Sequence, residues 1–249
     1  MHRWRGDLSR LKIFAKRIFF PGLDLHTRCR YRFLDEFIAP GDLYTLDAGF
    51  GNGALTYLAY RKGNRVLGVS ALAYEVENTT ALFHARRIPS DRVEFRQMNI
   101  YKLRTLDRRF DQIICSETLE HISRDREVVQ MFADLLNPGG RLILCCPHAL
   151  HPEHNLGRTD EPETGYHVRD GYTFESYQAI LEPAGFKITH RIGIGSPLVV
   201  WQDNVLRKLR HKVGDAGAFP VFLLLLPFTW LDYRDPKTPF SVAVVAEKR

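Results

Sequence analysis

Short apolar runs alternate with segments of helical periodicity along most of the chain. Strands are predicted where β-branched and apolar residues stand between turn signals, and helices where apolar residues recur on one helical face. The predicted strands are residues 43–46, 65–70, 92–98, 110–116, 141–146, 186–194 and 241–246. The predicted helices are residues 27–38, 54–60, 72–87, 125–136 and 172–184. This alternation predicts a parallel sheet covered by helices on both faces.

The turns that follow the predicted strands are expected to form one site. In a doubly wound parallel sheet, ligands bind in the crevice beyond the carboxyl ends of the strands. The turns at residues 47–53, 70, 99, 116 and 147 should therefore converge. The polar stretch 148–171 is rich in His, Glu and Gly and is too long for an ordinary strand-to-helix connection, so we expect it to be the substrate loop.

Two additions flank this sheet. Pro40-Gly41 separates residues 1–40, a basic helical arm or lid, from the main domain at 41–249. Within the arm, residues 8–20 have an amphipathic pattern that suits packing on the domain or contact with an anionic membrane.

Residues 196–238 form a predicted helical insertion, and its stretch 219–231 is intensely apolar. Pro220 and Pro227 interrupt this stretch, and about 20 apolar residues are needed to span a bilayer. A buried helix or an apolar wall over the site is therefore expected, with shallow, peripheral membrane contact as the alternative.

Composition limits the cellular setting and the partners. The chain has 249 residues, of which 45% are hydrophobic, enough to bury a full core. Its four cysteines lack paired-ligand spacing and suggest reduced core residues in a cytoplasmic protein. Residues 1–32 carry nine Lys or Arg against two Asp, a net charge of +7, whereas the whole chain carries +6. Because the rest of the chain is nearly neutral, no nucleic-acid partner is expected.

The turn at residues 46–53 carries the strongest chemical signal. It reads Leu-Asp-Ala-Gly-Phe-Gly-Asn-Gly and joins a predicted strand to a predicted helix. Gly49 and Gly51 permit backbone angles that other residues avoid, and Gly53 allows the helix start to lie close to a ligand. In this context the turn indicates a nucleotide-type cofactor site, and an ordinary glycine-rich loop is the alternative.

The glycines alone leave a dehydrogenase open. The pattern Gly-x-Gly-x-x-Ala at 49–54 fits a dinucleotide fingerprint, whose second strand should end in an acid that holds the ribose. Here that strand ends at Ser70 and no acid follows before Glu75, which weakens an NAD site more than an NADP site. Asp47 would repel a pyrophosphate but suits a ligand with an ammonium and a sulfonium, such as S-adenosylmethionine.

Several motifs in order resemble the class I S-adenosylmethionine-dependent methyltransferases. Beside the turn at 46–53, these are Phe-Asp-Gln-Ile-Ile-Cys-Ser-Glu-Thr-Leu-Glu-His-Ile at 110–122, Leu-Asn-Pro-Gly-Gly-Arg-Leu at 136–142, and the helix and strand start at 172–186. The resemblance covers residues 43–195 and the last strand. It implies an α/β, Rossmann-like, doubly wound sheet of seven strands with the last antiparallel. We expect methyl transfer to a small-molecule, lipid-linked or glycan acceptor, with oxygen favoured over nitrogen or carbon as the methylated atom.

The resemblance also implies a set of cofactor-binding residues at the strand ends. They are Asp47, Gly49, Phe50, Gly51, Asn52, Gly53, Ser70, Asn99, Ile100, Ser116, Glu117 and His121. The family usually has an acid at the end of the second strand and often one near the end of the third, where this chain has Ser70 and Asn99. A hydroxyl and an amide lack the charge-assisted hydrogen bond of a carboxylate, so Glu75 is a candidate to supply one.

Histidines in the expected substrate loop are the candidate catalytic residues. A hydroxyl acceptor benefits from a general base, and histidine suits this role at neutral pH. His148 follows the fifth strand and His167 precedes the next helix, so these two are predicted; surface histidines of a polar loop are the alternative. His151, Glu153 and His154 are ligand types for zinc, but they lack a second fixed group, and no metal is predicted.

Two other functions stay open from the sequence. One is a non-catalytic binding protein that keeps the fold, and the other is an NADP-dependent reductase. The retained glycines and Asp47 favour an enzyme over the first. The second lacks a recognisable Ser-Tyr-Lys catalytic constellation.

Overall fold

The computed structural model describes residues 20–154 and 167–249. The strands are β1 (Tyr44–Ala48), β2 (Arg65–Ser70), β3 (Val93–Gln97), β4 (Phe110–Ser116), β5 (Leu136–Pro147), β6 (Phe186–Ile194) and β7 (Ser241–Lys248). The α-helices are α1 (Leu25–Asp35), α2 (Ala54–Arg61), α3 (Ala73–Ala85), α4 (Asp125–Leu135), α5 (Phe174–Leu181) and α6 (Pro197–Leu225). Short 3₁₀ helices cover Ile100–Thr105, Leu119–His121, Pro152–His154, Glu182–Ala184 and Leu226–Leu231. The amphipathic segment predicted at 8–20 lies, except for Phe20, outside the described residues.

The strands form one seven-stranded sheet in the order β3-β2-β1-β4-β5-β7-β6. Strands β1 to β5 pair in parallel, and β7 is antiparallel to both β5 and β6. The predicted fold class is therefore confirmed, including the single reversed strand. Because β1 to β5 run the same way, their carboxyl ends lie along one edge, and the order reverses between β1 and β4, where ligands bind in such sheets.

The alternation of side chains along the central strands divides the core into two layers. Ile113 and Cys115 of β4 lie in one layer, whereas Ile114 between them lies in the other. The first layer packs against α4 and α5, and the second against α1, α2 and α3. Both faces of the sheet are thus apolar, which explains the nearly continuous hydrophobic runs of these strands.

Local sequence signals explain most element boundaries. Thr173 caps α5 through a hydrogen bond from the Ser176 N–H, and the Ser176 hydroxyl accepts from the Thr173 N–H. The α-helix therefore begins two residues later than the predicted start at 172. It ends at Leu181, where Pro183 imposes a 3₁₀ turn. After α4, the chain enters β5 at Leu136 with an irregular register, so the Asn-Pro-Gly-Gly turn is joined to the strand.

The helical insertion is more exposed to solvent than the sequence predicted. The stretch Pro197–Leu231 is 35 residues long, and by length and composition it is the helix in the described ranges that is apolar enough to cross a membrane. It is broken at Gly214, where φ is +73° and ψ is 176°. Leu223, Leu224, Phe228, Trp230 and Leu231 are all exposed, so the expectation of a buried helix at 219–231 is wrong for much of that stretch.

Candidate active site

The turn between β1 and α2 is built from left-handed glycines. Gly49, Gly51 and Gly53 have φ values of +82°, +53° and +77°, which residues with a Cβ rarely adopt. A Cβ on Gly49 would lie 2.1 Å from Thr118 Oγ1, and one on Gly53 would lie 2.6 Å from Thr79 Cγ2. A Cβ on Gly51 would meet no atom within 4 Å. Packing therefore requires glycine at the outer two positions, whereas Gly51 borders open space beside the start of α2, where a ligand can approach the backbone.

The carboxyl group of Asp47 is buried just before this turn. The residue is 1% exposed, and Thr56 Oγ1 donates a hydrogen bond to Asp47 Oδ2 over 2.6 Å. Burial raises the pKa of Asp47 to about 6, although the hydrogen bonds from Thr56 act to lower it. In the described part of the chain no basic side chain pairs with this carboxyl. A bound cationic ligand would supply the missing counter-charge.

The end of β2 acquires a carboxylate from the following helix. Ser70 Oγ donates to Glu75 Oε2 over 2.5 Å and accepts a hydrogen bond from the Leu72 N–H at 3.1 Å. Glu75 lies in the first turn of α3 and is half-buried. The structure therefore brings Ser70 together with the acid that the sequence offered as its substitute. Between them they provide both a hydroxyl and a carboxylate where a ribose would need hydrogen-bond acceptors.

Three of the predicted cofactor residues have clear supporting contacts. Phe50 is buried, and its ring lies 4.7 Å from that of Phe95 between centroids. The Asn99 side chain accepts a hydrogen bond from the Tyr101 N–H at 2.9 Å and caps the 3₁₀ helix after β3. Ile100 packs against the core layer on the α4 side of the sheet. A direct role of these residues toward a cofactor stays a prediction.

The end of β4 carries buried polar atoms that lack protein partners. Glu117 has φ +52°, and its N–H donates to the Cys145 carbonyl at 2.8 Å. Its Oε2 lies 2.9 Å from Nη1 of Arg30, a buried side chain of α1. Its Oε1 and the Ser116 Oγ are buried and have no hydrogen-bond partner among residues 20–154 and 167–249. A polar ligand at this edge of the sheet would satisfy them.

The predicted catalytic histidines lie beyond β4 and β5. The Nδ1 atom of His148 is buried with no partner in the described ranges, and burial lowers the pKa of this residue. The ring of His167 meets that of His121 edge to face, with 4.6 Å between centroids. Burial, and then the neighbouring His121 and His154, lower the pKa of His167. Both candidate bases therefore favour the neutral form that accepts a proton at neutral pH.

The same neighbourhood contains a group of potential metal ligands. One donor atom each from Glu120, His121 and His167 lies within 4.8 Å of the others. Glu120 is 1% exposed, and burial, followed by the charge of Glu117, raises its pKa to about 8. These three residue types would suit a divalent ion. The sequence did not indicate this set, because His167 is distant along the chain from the other two.

The metal ligands weighed from the sequence do not assemble. The rings of His151 and His154 pack against Phe240, with centroids 5.0 Å and 4.3 Å away. Glu153 Oε1 instead accepts a hydrogen bond from Asn204 Nδ2 over 2.7 Å. His151 and His154 therefore contribute to the packing of this loop against Phe240.

Helix α1 contributes site residues that the sequence reasoning missed. Besides Arg30, it brings Tyr31, whose hydroxyl lies 3.4 Å from Asn52 Oδ1 of the glycine turn. The Asn52 amide donates to the Pro21 carbonyl over 3.0 Å, so the segment ahead of α1 also contacts the turn. One sequence signal was available, since Arg30 shares the buried side of α1 with Phe33 and Leu34. A charged side chain on such a side needs a partner.

Comparison with known proteins identifies relatives of this arrangement. A family model described as "Methyltransferase domain" matches residues 46–144, which include the glycine turn and the ends of β2 to β4. Ubiquinone biosynthesis O-methyltransferase from Leptothrix cholodnii is 31% identical over 103 residues, 41% of this chain and 43% of that protein. O-methyltransferase resE from Aspergillus sclerotiorum is 27% identical over 69% of this chain and 66% of that protein. The chain thus aligns with less than half of the ubiquinone-pathway relative.

Solved structures agree on the fold. Geranyl diphosphate C-methyltransferase from Streptomyces coelicolor A3(2), in complex with Mg²⁺, geranyl diphosphate and S-adenosyl-L-homocysteine, superposes with a TM-score of 0.64. The superposition covers 98% of this chain and 85% of that one at 15% identity. At 15% identity the match supports the same architecture and does not indicate which residues form the site.

Proposed function

Because the chain contains a class I S-adenosylmethionine-dependent methyltransferase domain, we propose that it transfers a methyl group from S-adenosylmethionine to a hydroxyl group of a small organic acceptor. One arrangement carries this proposal. A left-handed glycine turn leaves Gly51 open to a ligand, and the buried carboxyl of Asp47, which pairs with no basic side chain of the described residues, directly precedes the turn in the chain. This combination fits a nucleoside ligand with positive charge better than a pyrophosphate.

The residues of this chain divide the binding work by chemistry. S-adenosylmethionine, when bound, supplies a methyl group on a positively charged sulfur. The Asp47 carboxylate balances positive charge, and the glycine turn admits the ligand close to the backbone. Ser70 and Glu75 accept hydrogen bonds from ribose hydroxyls. The protein's main contribution to rate is to hold the acceptor oxygen in line with the methyl group.

Proton removal is the second task for a hydroxyl acceptor. As the oxygen bonds to the methyl carbon, the carbon–sulfur bond breaks with its electron pair left on sulfur, and the hydroxyl proton must leave. His148 and His167 are the proposed acceptors of this proton, because both lie past the strand ends and both have a lowered pKa. A histidine that is already neutral at pH 7 needs no prior deprotonation.

The acceptor class is inferred from the relatives and from the exposed apolar insertion. The relatives include ubiquinone biosynthesis O-methyltransferases and a probable tocopherol O-methyltransferase from Oryza sativa subsp. japonica, and these names indicate apolar, hydroxylated acceptors. The first part of α6 contacts the loop after β5, where Asn204 donates a hydrogen bond to Glu153, and it exposes the apolar side chains of Leu198 and Trp201. A hydroxylated ring with an apolar tail is therefore the proposed acceptor. Sugars are the alternative acceptors with which it should be compared.

Binding and turnover together test this function. Isothermal titration with S-adenosylmethionine, S-adenosylhomocysteine and NADPH should show the first two binding and the third not. Turnover with ¹³C-methyl S-adenosylmethionine and a panel of phenols, catechols and sugars should give a methoxy carbon signal. Binding without turnover on any acceptor would support the non-catalytic alternative, and binding of NADPH alone would overturn the proposal.

Histidine variants test the proton acceptor. If one candidate is the base, its change to Gln should lower kcat by about 10²-fold to 10⁴-fold with little change in affinity for S-adenosylmethionine. His211→Gln is the matched control, because His211 is an exposed histidine of α6. An unchanged kcat in both His148→Gln and His167→Gln would remove general base catalysis by these residues from the mechanism.

A further inference from the structure

An exposed apolar patch lies at the end of the helical insertion. It consists of Leu223, Leu224, Phe228, Trp230, Leu231 and Tyr233, whose exposed fractions range from 47% to 76%. Side chains this large and apolar are seldom exposed together on a protein surrounded by water, and such patches mark interaction sites. All six residues belong to the segment 223–233, and they include the two aromatic residue types, Trp and Tyr, that are enriched where membranes meet water.

The opposite side of the same segment is fixed to the domain. Ala218 and Phe222 are fully buried in a cluster with Leu25 of α1. Arg32 of α1 donates hydrogen bonds to the carbonyls of Thr229 and Asp232, each over 3.1 Å. The segment is therefore attached along one side and apolar along the other. This is the arrangement of a helix that lies in a membrane interface.

The dimensions favour contact with a bilayer surface over passage through it. After the break at Gly214, only residues 215–231 remain in the helical segment, and Pro220 and Pro227 fall within it. A straight span requires about 20 apolar residues to cross the hydrocarbon. Spanning would also separate Ala218 and Phe222 from α1 and expose the Leu25 cluster.

Basic residues lie at the patch and in the elements joined to it. The Arg32 guanidinium lies 5.2 Å from the centre of the Trp230 ring, and exposed Lys237 follows the patch. Exposed Arg207 and Lys208 lie in the first part of α6. Arg28 of α1 lies 5.2 Å from the centre of the ring of Phe222, on the attached side of the same segment. A surface of anionic lipid headgroups complements this distribution, because basic groups next to an apolar face add electrostatic attraction to insertion.

We propose that this apolar patch docks the protein on the surface of an anionic lipid bilayer. Leu223, Leu224, Phe228 and Leu231 enter the boundary between headgroups and acyl chains, and Trp230 and Tyr233 lie at headgroup level. The inference does not depend on the methyl-transfer activity, since it concerns a surface outside the strand ends. It adds a peripheral membrane contact to the molecule.

Vesicle flotation of the full chain tests the docking. The protein should float with vesicles of phosphatidylcholine and phosphatidylglycerol in equal amounts and much less with phosphatidylcholine alone. The double variant Leu224→Glu, Trp230→Glu should lose about tenfold or more of its vesicle partitioning, because two inserted side chains become charged. Tyr44→Glu is the matched control: Tyr44 is also an exposed aromatic residue, but it begins β1 and lies outside the patch.

Further measurements test whether the double variant still folds and whether Trp230 itself enters the membrane. Circular dichroism and melting temperature should be unchanged in the double variant, because both side chains are mostly exposed. A variant with Trp4 and Trp201 changed to Phe keeps Trp230 as its sole tryptophan, and its emission should shift to the blue on addition of anionic vesicles.

Equal flotation of the double variant and the wild type would overturn the proposal. A wild-type chain that ignores vesicles but forms dimers lost in the double variant would assign the patch to a second copy instead. Retention of the protein in vesicles after an alkaline carbonate wash would contradict peripheral docking and indicate spanning.

Discussion

The buried carboxyl group of Asp47 makes the stability of the ligand-free protein depend on pH. Its pKa is raised to about 6 by burial, whereas an unfolded Asp titrates near 4. The folded state therefore binds a proton more tightly than the unfolded state does. By linkage, this group's contribution to the free energy of unfolding is fully present below about pH 4 and is lost as the pH rises through about 6.

The change Asp47→Asn should separate stability from cofactor binding. At pH 8 we expect the ligand-free variant to unfold with a free energy about 1–2 kcal/mol higher than the wild type, because no buried charge remains. Affinity for S-adenosylmethionine should fall by about tenfold to a hundredfold through loss of the counter-charge. Chemical denaturation at pH 4 and pH 8, with titration calorimetry, measures both. A variant that is less stable than the wild type at pH 8 and binds normally would contradict this role.

The pair of Ser70 and Glu75 gives a second prediction for single residues. Glu75→Gln should weaken S-adenosylmethionine binding about fivefold to tenfold, because an amide lacks the charge-assisted hydrogen bond to ribose hydroxyls. Glu77→Gln, an exposed change on the same helix, is the control and should have no effect. A 2′-deoxyribose analogue of the cofactor should bind both the Glu75→Gln variant and the wild type with similar affinity. Equal loss in the two Gln variants would indicate a general charge effect.

The strand-turn-helix unit formed by β1, the glycine turn and α2 divides its glycines between folding and binding. Gly53 lies against Thr79 and Phe83 of α3, so it sets the distance between two helices. Gly51 borders open space and has no such neighbour. Both adopt left-handed angles, so any Cβ carries a backbone cost of about 1 kcal/mol at either position.

Alanine at these two glycines should therefore give different results. Gly53→Ala should destabilise the protein by about 2–4 kcal/mol, because the new methyl overlaps Thr79 and Phe83 in addition to the backbone cost. Gly51→Ala should cost only about 1 kcal/mol of stability but weaken S-adenosylmethionine binding more than tenfold. Urea denaturation and calorimetry distinguish the two effects. Equal losses of stability would show that Gly51 also has a packing role.

The elements were predictable where a local pattern determines them. The sequences of β4 and β6 are flanked by polar residues and turn signals. Their predicted spans, 110–116 and 186–194, therefore match the observed strands. The glycine turn was predictable because left-handed angles demand glycine. The ion pair of Arg30 with Glu117 joins residues that meet only in the folded chain. Exposure at 219–231 was not predictable, because composition alone does not say which apolar segments are covered.

For the whole molecule, helix α1 connects the insertion, the sheet and the site. It packs on α6 through Leu25, places Arg30 against Glu117 and extends Tyr31 to the glycine turn. Arg30→Met should lower the free energy of unfolding by about 1–3 kcal/mol, because the partly buried Glu117 carboxylate loses its counter-charge. The double variant Arg30→Met, Glu117→Gln should recover part of that loss. Urea denaturation of the two single variants and the double variant measures the coupling, and a double variant whose loss equals the sum of the two single losses would show that the pair is uncoupled.

Ligand binding should also stabilise the molecule as a unit. S-adenosylhomocysteine at about 100 times its Kd should add about 2.7 kcal/mol to the free energy of unfolding. For a chain of this size, that corresponds to a rise of about 5–10 °C in Tm. Differential scanning fluorimetry would show it, with NADPH as the comparison ligand. An equal rise in Tm with NADPH would favour a dinucleotide-binding site instead.

The ion pair between Arg30 and Glu117 has a consequence for where this protein can be cut. The family match begins at residue 46, after α1 has ended. A fragment that starts at residue 46 would lack Arg30. The Glu117 carboxylate would then have no counter-charge, and its left-handed backbone would lose the support of this ion pair. The smallest fragment that folds with a complete cofactor edge must therefore start ahead of Leu25, so the cooperative unit is longer than the region that the family model matches.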